Sequence, residues 1–329
     1  MFQPGETIAD RYKVVRKIGA GGYAEVFEAH EGSTGARVAL KALLPSFSED
    51  DEALARFRRE ASITAKIKHP NVARTYGFAS LPDGRPYMVM EYLQGRDLAE
   101  FLRTEVIAPA AAVEVVQQVA QGLAAAHALG FVHRDLKPEN VFIDDRPQAS
   151  DGTPVRFKVL DFGATRRSIG GTALTATGEA VGTPEYMSPE QATGAEAIDH
   201  RTDQFTLAVL AFELLTGRSP FAAPDLVGTL RKVVQEVPPA FASCGVNLPS
   251  TIEAVVAKAL SKSPAERFPN VTAFAEALVA AAAPLGPPDL SCFVSRPPLT
   301  RKRLALLLWL AALCVATSAG CVWAVLALR

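Results

Sequence analysis

Wound as a helix, the segment QFTLAVLAFELL, residues 204–215, is apolar on nearly every side. A surface helix shows one apolar stripe, whereas a helix that is apolar all round has to be enclosed. The chain must therefore build a lobe large enough to surround this segment. Helical periodicity predicts the surrounding material over 110–129, 251–260 and 271–283, with 202–215 as the central helix.

The sequence before residue 97 reads differently. Short β-rich runs, YKVVRKI, YAEVFEA, ARVALKA and PYMVMEY, alternate with glycine-bearing turns such as EGSTG. One helix is expected among them, over 52–68, where Leu54, Phe57, Ala61, Thr64 and Ile67 fall near one face. The expected fold class is thus α+β, with a β-rich lobe over 11–92, an α-rich lobe over 93–283 and residues 1–10 as a lead. At 329 residues and 49% hydrophobic, the chain has enough apolar material for such a core. Its formal charge of −1 provides no basic excess, which argues against nucleic acid as a partner. Cys244, Cys292, Cys314 and Cys321 form neither a CxxC pair nor a disulfide framework and read as reduced thiols.

Polarity is concentrated after the predicted helix 110–129. The stretch VHRDLKPENVFI, residues 132–143, starts and ends apolar but carries His, Arg, two acids, Lys and Asn between. The β-rich run FKVLDFG follows, ending in Asp161, Phe162 and Gly163. Asp135 could accept a hydroxyl proton, and Asn140 and Asp161 offer oxygen ligands suited to Mg²⁺. Lys137 could neutralise charge on a transferring phosphoryl group. Upstream, IGAGGYAEVFEAH places Gly19, Gly21 and Gly22 at a turn between strands, where backbone N–H groups can approach phosphates. Such a turn is equally compatible with a plain hairpin. Lys41 closes the apolar strand VALK, and if it faces a cleft it needs a carboxylate, for which Glu60 on the neighbouring helix is available.

In order and spacing, these residues resemble the eukaryotic-type Ser/Thr protein kinase family, in particular its membrane-anchored bacterial branch, over about residues 11–283. The resemblance implies a bilobal protein-kinase fold with ATP and Mg²⁺ in the cleft. It makes Ile18, Gly19 and Gly21 part of the phosphate-covering loop and packs Val26 on the adenine. Lys41 would contact the α and β phosphates while paired with Glu60. VMEYL would be the hinge, with Met90 as gatekeeper and the Glu91 and Leu93 backbones addressing adenine. Asp135 would be the catalytic base, Asn140 and Asp161 the metal ligands, and Lys137 the mark of Ser/Thr specificity. Asp203 would brace the catalytic loop, and Glu190 of SPE would pair with Arg267 of SPAERF. His133 reads as a packed structural histidine, and no chemical role is expected of His69 or His127. Arg134 would receive a phosphate on the loop 161–190, for which Thr175 and Thr177 are the expected autophosphorylation sites, with Thr183 in the substrate-docking segment. Two departures, Ala24 at the usual third loop glycine and Ser188 at a usual alanine, disturb nothing central. The segment DDRPQASDGTP lengthens the connection before Asp161 and reads as a surface loop.

The remainder changes character. PLGPPDLSCFVSRPPLT has five prolines and reads, with the basic residues after it, as an extended tether over 284–303. Residues 304–328 carry no charge, and as a helix of about 37 Å they would cross a hydrocarbon core of roughly 30 Å. Arg301, Lys302 and Arg303 precede this run and only Arg329 follows, so the positive-inside rule places the preceding bulk in the cytoplasm. The lead 1–10 has no secretory-signal pattern, which agrees. The expected protein is therefore a single-pass cell-membrane kinase whose partners are the lipid bilayer and the Ser/Thr residues of proteins. Ala312, Ala316, Gly320 and Ala324 form a small-residue stripe that would let two such helices approach as a homodimer. The alternatives are a pseudokinase without turnover and a membrane-anchored scaffold.

Overall fold

A computed structural model describes residues 2–146, 155–162 and 184–294; Thr175, Thr177, Thr183 and the uncharged run 304–328 lie outside them. Six strands form the first sheet: β1 (Thr7–Ile8), β2 (Tyr12–Ala20), β3 (Ala24–Glu31), β4 (Arg37–Leu43), β5 (Thr75–Ser80) and β6 (Pro86–Glu91), in spatial order β1-β2-β3-β4-β6-β5 and antiparallel throughout. Strand periodicity sends alternate side chains to opposite faces. One face packs Phe27, Ala29, Val38, Leu40 and Val89 together. The other sets Ala39, Leu43, Met88 and Met90 against helix α1 (Asp51–Thr64) through Phe57 and Ala61. Each such buried aliphatic or aromatic side chain contributes roughly 1.5–3 kcal/mol.

Asp50 caps α1 by accepting the Ala53 N–H. The helix stops short of the expected 68, since Lys66 and Ile67 donate to carbonyls three residues back and tighten the last turn ahead of Pro70. The lead 1–10 also joins the lobe. β1 pairs with β2, and the Phe2 ring lies 5.0 Å from that of Phe27.

The second lobe begins with β7 (Gly95–Asp97) and α2 (Leu98–Leu102), followed by the long α3 (Pro109–His127). β8 (Val141–Asp144) and β9 (Arg156–Val159) complete a small sheet ordered β7-β8-β9. Then come α4 (Pro189–Ala192), α5 (Arg201–Thr216), α6 (Leu226–Gln235), α7 (Ser250–Ala259) and α8 (Val271–Ala282). α5 is enclosed as its composition requires, with Phe205, Leu207, Ala208, Val209, Leu210 and Ala211 all at 0% exposure. The short helices α2 and α6 were not expected; α6 buries only Thr229 and Val233. Gly95 (φ 132°) and Gly122 are steric necessities: a Cβ on Gly122 would meet the Asn71 carbonyl at 2.5 Å, and one on Gly95 would collide with that of Ile143.

The proline-rich stretch begins as packed chain rather than as extended tether. After α8 it makes two single turns, Ala283–Leu285 and Ser291–Phe293. Leu285 and Leu290 pack against the large core, and Phe293, 4% exposed, sits with its ring 4.7 Å from Phe101 and 4.9 Å from Phe157. The compact unit therefore ends at Phe293, beyond the expected boundary at 283. Spaced apolar residues among the prolines supply the reason.

Candidate active site

β4 lies between β3 and β6, and its register sets Lys41 opposite Val26 on one side and Met88 on the other. From there the Lys41 Nζ reaches Glu60 Oε1 of α1 at 2.6 Å and Asp161 Oδ1 at 2.7 Å. The Lys41 and Glu60 side chains are 7% and 3% exposed, whereas that of Asp161 is 43% exposed. Burial disfavours the Lys41 ammonium, but the Asp161 and Glu60 carboxylates outweigh it and hold the amine above its ordinary range. Burial pushes the Glu60 carboxyl up to about 7, against the pull of Lys41. Asp161 also loses hydration, yet the Lys41 ammonium keeps it below the usual carboxylate range.

The polar stretch 132–143 is organised from below by Asp203, which is wholly buried at the start of α5. Its Oδ2 accepts from the His133 N–H at 2.8 Å and lies 2.7 Å from His127 Nε2, while Oδ1 accepts from the Arg134 N–H at 2.8 Å. Burial opposes the Asp203 charge, but His127 and these donors keep its carboxyl below the ordinary range. His133 is also fully buried; its Nε2 lies 2.8 Å from the Leu160 carbonyl and its Nδ1 accepts from the Asp135 N–H at 3.2 Å. It is a connector between the loop and the strand leading to Asp161. His127, for which no role was expected, shares the bracing through Asp203.

Pairing of Val141 with Val159 puts Asn140 and Asp161 at the same end of the β8–β9 hairpin. Asn140 Nδ2 donates to the Asp135 carbonyl at 2.7 Å, which commits the amide nitrogen and leaves the oxygen as the possible ligand atom, and Lys137 Nζ stands 3.5 Å from Asp135 Oδ2. Arg134 and Asp161 have φ values of 66° and 54°, a left-handed conformation costing of order 1–3 kcal/mol for a non-glycine residue. For Arg134 the Asp203 bond fixes it. The Arg134 Nε is buried without a hydrogen-bond partner among the described residues, beside a cavity of about 360 Å³ also lined by Glu196, Asp199 and Arg201.

These residues fit a nucleotide and Mg²⁺. A Cβ on Gly19 would come no closer than 3.7 Å to the chain, one on Gly21 no closer than 3.6 Å, and one on Gly22 would meet nothing. The fold itself does not require glycine there, which leaves a bare backbone that a ligand could approach. Val26, Leu93 and Leu160 pack, partly exposed, against a cluster containing Ala39 and Met90 and give an apolar wall suited to a base. Ile18, 37% exposed, lies near the end of β2. The Glu91 side chain is engaged by Arg146 at 2.8 Å and Lys158 at 3.0 Å and its N–H donates to the Arg74 carbonyl at 2.8 Å, so its backbone carbonyl, not its N–H, is the group that could receive a base. Asn140 and Asp161 supply one amide and one carboxylate oxygen, the sparse protein ligation Mg²⁺ takes when phosphates complete the shell. Away from the cleft, Arg267 forms a two-pronged ion pair with Glu190, at 2.8 Å on each arm. Ala39, Leu160 and Tyr23 were not singled out from sequence; the alternation of VALK already pointed Ala39 to the same face as Lys41.

The protein kinase domain family matches residues 12–278. Serine/threonine-protein kinase pkn3 of Myxococcus xanthus is 39% identical over 276 residues, 82% of this chain and 50% of that protein. Serine/threonine-protein kinase PrkC of Bacillus subtilis is 34% identical over 265 residues, 80% of this chain and 39% of that protein. The chain thus spans half or less of the length of these two relatives. Among solved structures, the PknI kinase domain of Mycobacterium tuberculosis superposes with a TM-score of 0.65 at 28% identity, covering 86% of this chain and 100% of that one. A two-lobed fold, the meeting of Lys41, Glu60 and Asp161, and a family match over most of the sequence lead to one conclusion: the chain belongs to the protein kinase domain family, among the eukaryotic-type Ser/Thr kinases.

Proposed function

We propose that this protein transfers the γ-phosphoryl group of ATP to Ser or Thr hydroxyls of proteins, and does so at a membrane to which residues 304–328 anchor it, with the kinase domain on the cytoplasmic side. The observation that carries the catalytic reading is the Lys41 ammonium bridging Glu60 and Asp161 at 2.6 and 2.7 Å. The relatives' names support Ser/Thr as the acceptor class.

Bound ATP and Mg²⁺ supply the phosphoryl group and the charge neutralisation. Lys41 is held by Glu60 to meet the α and β phosphates, and Asn140 and Asp161 present oxygens to the metal. Asp135 orients the acceptor hydroxyl and takes its proton, and Lys137 beside it offsets negative charge building on the transferred group. Gly19 and Gly21 admit the phosphates, while Val26, Met90 and the backbones of Glu91 and Leu93 receive the base. Phosphate added at Thr175 or Thr177 would meet Arg134 and order the loop by charge-assisted hydrogen bonds. The stripe Ala312, Ala316, Gly320 and Ala324 offers a route to a homodimer in which one copy phosphorylates the other.

The test is ATP-dependent phosphate incorporation by the full chain, compared with Asp161→Asn, followed by mass spectrometry. Incorporation in the wild type alone, with phosphate at Thr175 and Thr177, supports both turnover and switch. Equal incorporation in both removes the enzyme and leaves a scaffold. Carbonate extraction of cell membranes tests the anchor: the chain should stay in the pellet, and a version lacking 304–328 should not.

A further inference from the structure

Tyr23 lies within the glycine turn, between Gly22 and Ala24, and none of the roles above uses it. Its carbonyl accepts the Leu44 N–H at 2.9 Å, which pins the turn to the end of β4. Its hydroxyl reaches the other way, donating to Glu60 Oε2 at 2.9 Å. The Lys41 ammonium and the Arg56 guanidinium stand 5.9 and 5.8 Å from the ring centroid. Glu60 consequently has one donor on each oxygen, Lys41 on Oε1 and Tyr23 on Oε2. At 3% exposure its carboxylate has little access to water as a substitute.

We propose that Tyr23 is a positioning residue for nucleotide binding: through its hydroxyl it fixes Glu60, so that Lys41 is held where the α and β phosphates arrive, and it ties the glycine turn to α1. This rests on the nucleotide-binding reading proposed above. Without the hydroxyl, Oε2 is a buried acceptor lacking a donor, a state that proteins relieve by moving the group. Either Glu60 rotates or α1 shifts outward, and both loosen Lys41. Because Lys41 addresses phosphates and not the base, the effect belongs to phosphate-bearing ligands alone. A Tyr23 that merely fills space would behave otherwise, since phenylalanine fills nearly the same volume.

Calorimetric titration of the full-length chain separates these cases. Mg²⁺–ADP and adenosine are titrated into wild type, Tyr23→Phe, Tyr23→Leu and the control Tyr76→Phe, whose ring is exposed on β5. Tyr23→Phe should weaken ADP roughly five-fold, the worth of one ordinary hydrogen bond, with adenosine unchanged. Tyr23→Leu should lose ADP affinity at least as strongly, and Tyr76→Phe should match wild type. Wild-type ADP affinity in Tyr23→Phe, or equal losses for ADP and adenosine, overturns the proposal. Should Tyr23→Phe fail to fold, Tyr23→Leu decides by the same ADP-to-adenosine ratio. A wild type that binds neither ligand overturns the nucleotide reading instead, so the two failures are told apart.

Discussion

Glu190 and Arg267, separated by 77 residues, meet in a two-pronged ion pair with both arms at 2.8 Å. The Arg267 side chain is 0% exposed and also donates to the carbonyls of Ser261 and Arg201. Removing one partner strands a buried charge, so Arg267→Ala should cost about 3–5 kcal/mol in urea unfolding. Arg267→Lys keeps the charge but loses the fork and should fall between. The pair Glu190→Gln with Arg267→Met should be less destabilised than Arg267→Ala alone.

Asp161→Asn should abolish most phosphate transfer while leaving the fold in place. Asparagine adopts the left-handed φ of 54° as readily as aspartate, so the backbone is not newly strained. What is lost is a charge facing Lys41 at 2.7 Å and the carboxylate proposed above as a metal ligand. Rate losses of roughly 10²-fold or more are expected from removing such an electrostatic group, with circular dichroism unchanged.

Phe293→Ala should destabilise the compact unit by about 3–5 kcal/mol, the usual cost of emptying an aromatic site. Its ring lies 4.7 Å from Phe101 and 4.9 Å from Phe157, both fully buried. A chain ended at residue 290 should show the same loss in a thermal melt, and one ended at 294 should not.

Lys262 gives a pH signature. Burial, with Arg267 adding to it, lowers its amine from 10.5 to about 8. The unfolded chain therefore keeps this proton to higher pH than the folded one. Stability from this group is full above 10.5 and is lost as pH falls through about 8. The urea midpoint of wild type, measured relative to Lys262→Met, should accordingly rise between pH 7.5 and 10.

Two glycines should separate folding from binding. Gly95→Ala puts a Cβ into the Ile143 carbonyl at a φ of 132° and should sharply lower the melting temperature. Gly21→Ala meets nothing closer than 3.6 Å, so its stability should stay within about 0.5 kcal/mol of wild type. On the nucleotide-binding reading proposed above, affinity for Mg²⁺–ATP should nevertheless drop, because a methyl group would crowd the backbone that admits the phosphates.

Periodicity made the two lobes and the enclosed α5 legible, since alternation and all-round apolarity follow directly from strand and helix geometry. The polar motifs made Lys41, Glu60, Asp135, Asn140 and Asp161 legible as candidates, and the structure brings Lys41, Glu60 and Asp161 into contact. Less visible were contacts that depend on tertiary approach. Nothing local to His127 announces a partner 76 residues away, and the bond of Tyr23 to Glu60 exists only because the turn and α1 converge. Phe293 was read through its proline neighbours, whereas its burial is decided by a gap between two distant phenylalanines.

Docking of Phe293 fixes where the chain leaves the compact unit. Because its ring lies against Phe101 of α2 and Phe157 of β9, whatever follows it in sequence is tied to the α-rich lobe and not to the six-stranded sheet. A pull on the chain from that side would load α2 and β9 before the six-stranded sheet that carries Lys41.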